Sequence, residues 1–187
     1  DTQLIGSKAP ILKLADFSGK RIRVLASEAE QAQVKALGAA TVPMALQEVL
    51  PALQQGTIDG VNAVMTVFTA FRYYDSATYL LETRLWSLIS TTVISKVFYD
   101  KLPPDLQKLV TETAVKIEPQ INQWQIARLA ADREVWTKNN GKFAKLSDAE
   151  QAEAQKRVAE SLQPMFAKDA ALKTFYDKLK TLAASVK

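Results

Sequence analysis

A chain of 187 residues with no cysteine and no histidine is without disulfides, thiolate nucleophiles and imidazole bases, and without the usual ligands of zinc and haem. Its 48% hydrophobic and 24% charged residues are those of a folded globular chain, and the formal charge of +4 favours anions only through the overall field. Basic residues are dispersed, so no nucleic-acid stripe or reading motif is present. No run is apolar for long enough to cross a bilayer as a helix, and no acidic run alternates as a calcium loop does.

In chain order, residues 1–20 read as an irregular lead-in punctuated by Gly6, Pro10 and Gly19. The start, Asp1-Thr2-Gln3, is neither a leader peptide nor an initiator, so a processed or trimmed chain is expected. An α/β region follows over 21–100. A strand is expected at 21–25, then a helix announced by Ser27 three before Glu30, a capping-box spacing. Gly38 offers the left-handed stop. Thr41–Met44 is a second strand, and 46–55 a helix with Leu46, Val49, Leu50 and Leu53 on one face. Pro51 requires that helix to start late or to kink. After Gly56 come a third strand at Ile58–Val64 and a whole or broken helix at 66–79. Leu85 to Phe98 is apolar and β-branched, which predicts one long strand or two meeting at a bend.

Residues 101–187 read as helical. Pro103-Pro104-Asp105 opens a helix, and Leu106, Leu109, Val110, Ile117, Ile121 and Trp124 carry its period towards Trp136, with a kink expected at Pro119. Asn140-Gly141 ends it. Ser147 with Glu150 opens another helix reaching about Phe166, and Leu172 to Leu182 form a last amphipathic one. Short strands alternating with helices predict an α/β lobe built of βαβ units, followed by a long kinked helix and C-terminal helices. In such sheets a ligand sits beyond the carboxyl ends of the strands.

Arg23 stands inside an otherwise apolar strand. A guanidinium presents donors in a fixed fork that fits a carboxylate side-on, so a receptor for an organic acid is the leading reading. The plain alternative is an internal ion pair with Asp59 or Glu28. Asn62, after Asp59-Gly60-Val61, could donate and accept in the same site. Trp86, Phe68, Phe71, Tyr73 and Tyr74 are candidates for a pocket wall, Arg72 for its rim and Arg84 for a second cation beside Trp86. Ser90 and Ser95 have no histidine to activate them and no Gly-x-Ser-x-Gly elbow is present. No catalytic residue, metal ligand or cofactor is nominated.

Several stretches together resemble one family. Leu14-Ala15-Asp16-Phe17-Ser18-Gly19-Lys20-Arg21-Ile22-Arg23-Val24 is similar to the "D-L-K-G-x-K-I-R-V" stretch of the DctP-type solute receptors of TRAP transporters. Ala36-Leu37-Gly38 through Thr41-Val42-Pro43-Met44 resembles their "x-L-G-A-x-P-x-P-M", and Glu48 through Gly60 their "E-V-Y-x-A-L-Q-x-G-x-V-D-G". Leu102-Pro103-Pro104-Asp105-Leu106-Gln107-Lys108 resembles "L-P-x-D-L-Q-K".

The resemblance implies a periplasmic-binding-protein-like fold with two α/β lobes around a cleft, delivering an organic acid to a membrane permease. It implies that this chain holds the second lobe and the helices that return to the first, lacks most of the first lobe, and self-associates through the bared surface. It makes Arg23 the carboxylate clamp. Leu46 stands where an aromatic often follows "P-M-x", and Ala63 where "D-G-Q-E-N-P" has its ligand-touching asparagine, with Asn62 displaced by one. With Leu46, Ala63 and Trp86 nearby, an apolar acid is the expected ligand. The competing readings are an effector-sensing lobe of a regulator and a helical scaffold protein without a small ligand.

Overall fold

The computed structural model describes residues 2–89 and 91–185. Its strands are β1 (Thr2–Ser7), β2 (Arg21–Val24), β3 (Ala40–Pro43), β4 (Gly60–Ala63), β5 (Tyr79–Ser87) and β6 (Lys142–Ala144). They form one mixed sheet in the order β3-β2-β4-β1-β5-β6. The helices are α1 (Glu28–Ala36), α2 (Leu46–Gln55), α3 (Met65–Ala70), α4 (Lys96–Tyr99), α5 (Pro104–Lys138), α6 (Asp148–Ser161), α7 (Gln163–Lys168) and α8 (Ala170–Ser185). β2 pairs parallel with both β3 and β4, while β1 runs antiparallel between β4 and β5. The expected α/β architecture is therefore present, with the parallel trio β3-β2-β4 at one side.

Alternation along each strand sends side chains to two separate cores. Ile5, Ile22, Val24 and Leu81 pack with Phe17 of a 3₁₀ turn, Val34 of α1 and Leu37 at its C-cap, and Ala154 and Val158 of α6. Leu4, Val61, Ala63 and Leu80 pack on the opposite face with Val49 and Leu53 of α2, Met65 and Phe68 of α3, and Trp136 of α5. Fully burying each such large apolar side chain contributes about 1.5–3 kcal/mol, so both faces hold the sheet.

Local signals hold where they were strongest. Ser27 Oγ accepts from the Glu30 N–H at 3.4 Å and starts α1. Gly38 and Gly56, with φ of +106° and +71°, end α1 and α2 in the left-handed region that favours glycine. α2 begins at Leu46 and runs through Pro51, and α5 runs through Pro119. Each proline removes one rung of the helix ladder, because it has no N–H to donate. The segment 66–79 is a broken helix, α3 followed by a 3₁₀ turn at Tyr73–Asp75.

Other expectations are corrected. The lead-in is not irregular throughout: residues 2–7 form β1, paired on both sides. The long strand over 85–98 is instead β5 at Tyr79–Ser87, with residues 88–89 and 91–95 outside any strand, and then the short α4. Ser87 is already opposite Thr2, the first described residue of β1, so among the described residues no partner remains to extend the ladder. Ile89, Val93, Val97 and Phe98 are accordingly exposed. Ser90 lies outside the described residues. The helical C-terminal region also contributes β6, which pairs parallel with Tyr79–Leu81. The helix from Ser147 breaks at Leu162 into α6 and α7, where Pro164 has no N–H for the carbonyl of Glu160.

Candidate functional site

β1 runs opposite to its neighbours, so its first residues lie at the same edge of the sheet as the last residues of β2, β4 and β5. Arg23, Asn62, Gln3 and the segment Thr83–Trp86 share this edge. The turn Met44–Leu46 and the first turn of α1 adjoin it.

Arg23 pairs in register with Val42 and Val61, and its side chain lies on the α2 side of the sheet. Only 2% of it is exposed. Its Nε donates to the Met44 carbonyl at 3.0 Å and its Nη1 to the Asn62 carbonyl at 3.3 Å. Neither candidate internal acid reaches it. Asp59 is taken by Arg21, Oδ2 to Nε at 2.9 Å, and Glu28 lies 3.6 Å from Lys168 Nζ. Among the described residues no carboxylate lies within ion-pair distance of Arg23. Burial pulls its guanidinium below the usual arginine range, with Tyr73 and Glu30 acting in the other direction. An arginine stays charged in a protein, so a buried cation here lacks a contacting anion of its own.

Tyr73 closes the same region from below. It is fully buried, and its hydroxyl donates to the Leu46 carbonyl at 2.8 Å. Burial pushes its pKa up to about 12, opposed by the nearby Arg23 charge. Its ring meets Phe68 edge-on at 5.8 Å.

Asn62 turns its side chain to the other face. Its Nδ2 donates to Glu30 Oε1 at 2.7 Å and to Gln3 Oε1 at 2.9 Å, while its buried Oδ1 has no hydrogen-bond partner. Sequence reasoning passed over Gln3 and used Glu30 only as half of a capping box. The chemistry of the box allowed both outcomes for Glu30, and a carboxylate three residues into a helix after a strand at this edge was the available signal.

Of the nominated residues, Arg23, Asn62 and the turn holding Leu46 are joined by hydrogen bonds. Leu46 is half-buried, and Ala63 is buried in the core beside α2. Trp86 packs on the core beneath α1, and its buried Nε1 has no hydrogen-bond partner. β5 is three strand steps from β2, about 14 Å at ~4.8 Å per step, so Trp86 and Arg84 share the edge with Arg23 without adjoining it. Arg84 is exposed, with φ of +49°, where the β1–β5 register slips. Tyr73 is a core residue, Tyr74 packs edge-on against Trp136, and Arg72 is an exposed partner of Asp75. Among the described residues no group of acids could hold a metal ion. A separate open groove lined by Leu14, Gly38, Ser147 and Glu150 lies at the opposite end of the strands.

The family model for DctP, bacterial extracellular solute-binding protein family 7, matches residues 1–169. The chain belongs to the DctP family. Proteins of this family are periplasmic, non-catalytic components of transport. Among the relatives, the uncharacterized protein YiiZ of Salmonella typhimurium is 37% identical over 113 residues, covering 59% of this chain and 33% of that protein. The C4-dicarboxylate-binding periplasmic protein DctP of Rhodobacter capsulatus is 29% identical over 106 residues, 56% of this chain and 32% of that one.

Among solved structures, a TRAP periplasmic solute binding protein from Xanthobacter autotrophicus, with bound β-D-galacturonate, superposes with a TM-score of 0.83 at 26% identity. The match covers 96% of this chain and 59% of that one. One from Rhodoferax ferrireducens, with bound malonate, shares the fold with a TM-score of 0.80 at 23% identity, covering 99% and 60%. The chain thus spans about a third of the length of these curated relatives and about three fifths of these solved chains.

Proposed function

We propose that this chain is the ligand-gripping part of a periplasmic organic-acid receptor that hands its cargo to a TRAP-type membrane permease, with Arg23 as the carboxylate clamp. One observation carries the reading. Arg23 is buried at the carboxyl edge of parallel strands, aimed by two backbone carbonyls, and among the described residues left without a contacting carboxylate. A carboxylate oriented on that fork would form charge-assisted hydrogen bonds roughly twice as strong as neutral ones. Relatives at 26% and 28% identity carry β-D-galacturonate and L-fuconate, both acids. The apolar wall expected from Leu46, Ala63 and Trp86 has little support, since Ala63 is in the core and Trp86 stands well away.

A thermal-shift comparison on the whole receptor tests this. D-galacturonate, L-fuconate and malonate are each set against the corresponding neutral methyl ester. Ligand that binds only the folded state stabilises it by RT ln(1 + [L]/Kd), so an acid that binds should raise the melting temperature and its ester should not. Equal shifts from acid and ester would reject the clamp.

A further inference from the structure

We infer that Glu30 restricts this site to acids bearing a single carboxylate. The inference rests on the reading of Arg23 as the clamp and adds the charge class of the ligand.

Asn62 stands between two opposite charges. Its backbone carbonyl takes Nη1 of Arg23, while its side-chain Nδ2 is held by Glu30 Oε1. Glu30 is 6% exposed and Asn62 1%. Among the described residues no cation lies within ion-pair distance of Glu30, and its charge favours the charged form of Arg23. Both Asn62 amide protons are spent, on Glu30 and Gln3, so the unpartnered Oδ1 adds further negative potential.

The other buried charge among the described residues is Asp132, and it is held by Arg128 and Thr69 on α5 and α3. Among the described residues, the edge around Arg23 therefore holds one buried positive and one buried negative side chain before any ligand arrives. A first carboxylate can settle on the guanidinium. A second would add a further negative charge to an edge that already holds the buried Glu30 carboxylate, where water screens little and like charges cost most. A hydroxyl, ketone or amide in place of the second carboxylate avoids that cost.

The test uses two matched pairs on the whole receptor by calorimetry: D-gluconate against D-glucarate, and succinamate against succinate. In the unmodified protein the single acid should bind about tenfold or more tighter than its diacid. Glu30→Gln removes the charge but keeps an oxygen for Asn62 Nδ2, and should bring the two affinities towards equality by strengthening the diacid. Gln3→Glu adds a charge on the other side of Asn62 and should widen the gap. The double variant Gln3→Glu with Glu30→Gln should restore the original ratio, which a packing effect would not do. A diacid preferred by the unmodified protein overturns the inference, as does a ratio that neither variant moves while Arg23→Ala still abolishes binding. Binding that survives Arg23→Ala would instead remove the clamp on which it rests.

Discussion

Arg23 and Tyr73 hold opposite ends of one turn. The guanidinium donates to the Met44 carbonyl at 3.0 Å, and the phenol donates to the Leu46 carbonyl at 2.8 Å. The segment between β3 and α2 is thus tied to the sheet by a charge and to the helical layer by a neutral hydroxyl. Tyr73→Phe keeps the ring against Phe68 but leaves the Leu46 carbonyl without its donor. It should lower stability by about 1–2 kcal/mol and speed amide exchange in the first turn of α2. Unchanged melting and exchange would show that water replaces the phenol at no cost.

Tyr73 also sets an alkaline limit. Burial raises its pKa from the ordinary 10.0 to about 12. A group raised on folding contributes stability that is complete below its unfolded value and is lost as pH rises through the folded one. Stability should therefore decline between about pH 10 and 12, and Tyr73→Phe should flatten that decline. Spectroscopic titration of tyrosinate alongside a melt at each pH reads both.

Gly60 fits because a side chain would not. A Cβ there would lie 2.6 Å from the Gly6 carbonyl oxygen and 2.8 Å from Ile22 Cδ1, and the first of these is backbone in a paired strand. Gly60→Ala should cost about 2–3 kcal/mol by overpacking, measured by denaturant unfolding. A cost under about 0.5 kcal/mol would mean that β1 and β4 part easily.

Glycines, prolines and helical period made most elements legible, since each acts through its own backbone. What stayed hidden depended on distant partners. β1 and β6 are strands because they find neighbours in the sheet, β5 ends opposite Thr2, the first described residue of β1, and no local pattern encodes either. The two capping boxes make the same point. Ser27 and Ser147 each cap their helix, but Glu30 is drawn to Asn62 and Glu150 accepts from the Leu14 N–H at 2.6 Å. The cap is a local bargain; the carboxylate's destination is set by the fold. Arg23 was readable as an anomaly in an apolar strand, whereas its lack of a contacting anion among the described residues could be seen only once Arg21 and Lys168 had claimed Asp59 and Glu28.

Asp59 gives an acid-side prediction. The Arg21 hydrogen bond holds its carboxyl below the ordinary carboxylate range, with burial opposing. A depressed carboxyl contributes stability above its unfolded value and loses it as pH falls through the folded one. The pair is partly exposed, at 44% and 31%, so Asp59→Asn should cost only about 1 kcal/mol at neutral pH. The gap to the unmodified protein should close on acidification below the ordinary carboxylate range. A gap that persists at low pH would assign the effect to packing.

The most direct measurement is the calorimetric affinity of the whole receptor for the acid giving the largest thermal shift, before and after Arg23→Ala. The clamp reading puts charge-assisted hydrogen bonds from a buried guanidinium to the ligand carboxylate at stake, so a loss of about 100-fold or more is expected, with the cooperative melt retained. Affinity within about threefold of the unmodified receptor, in a variant that still melts cooperatively, would contradict the clamp.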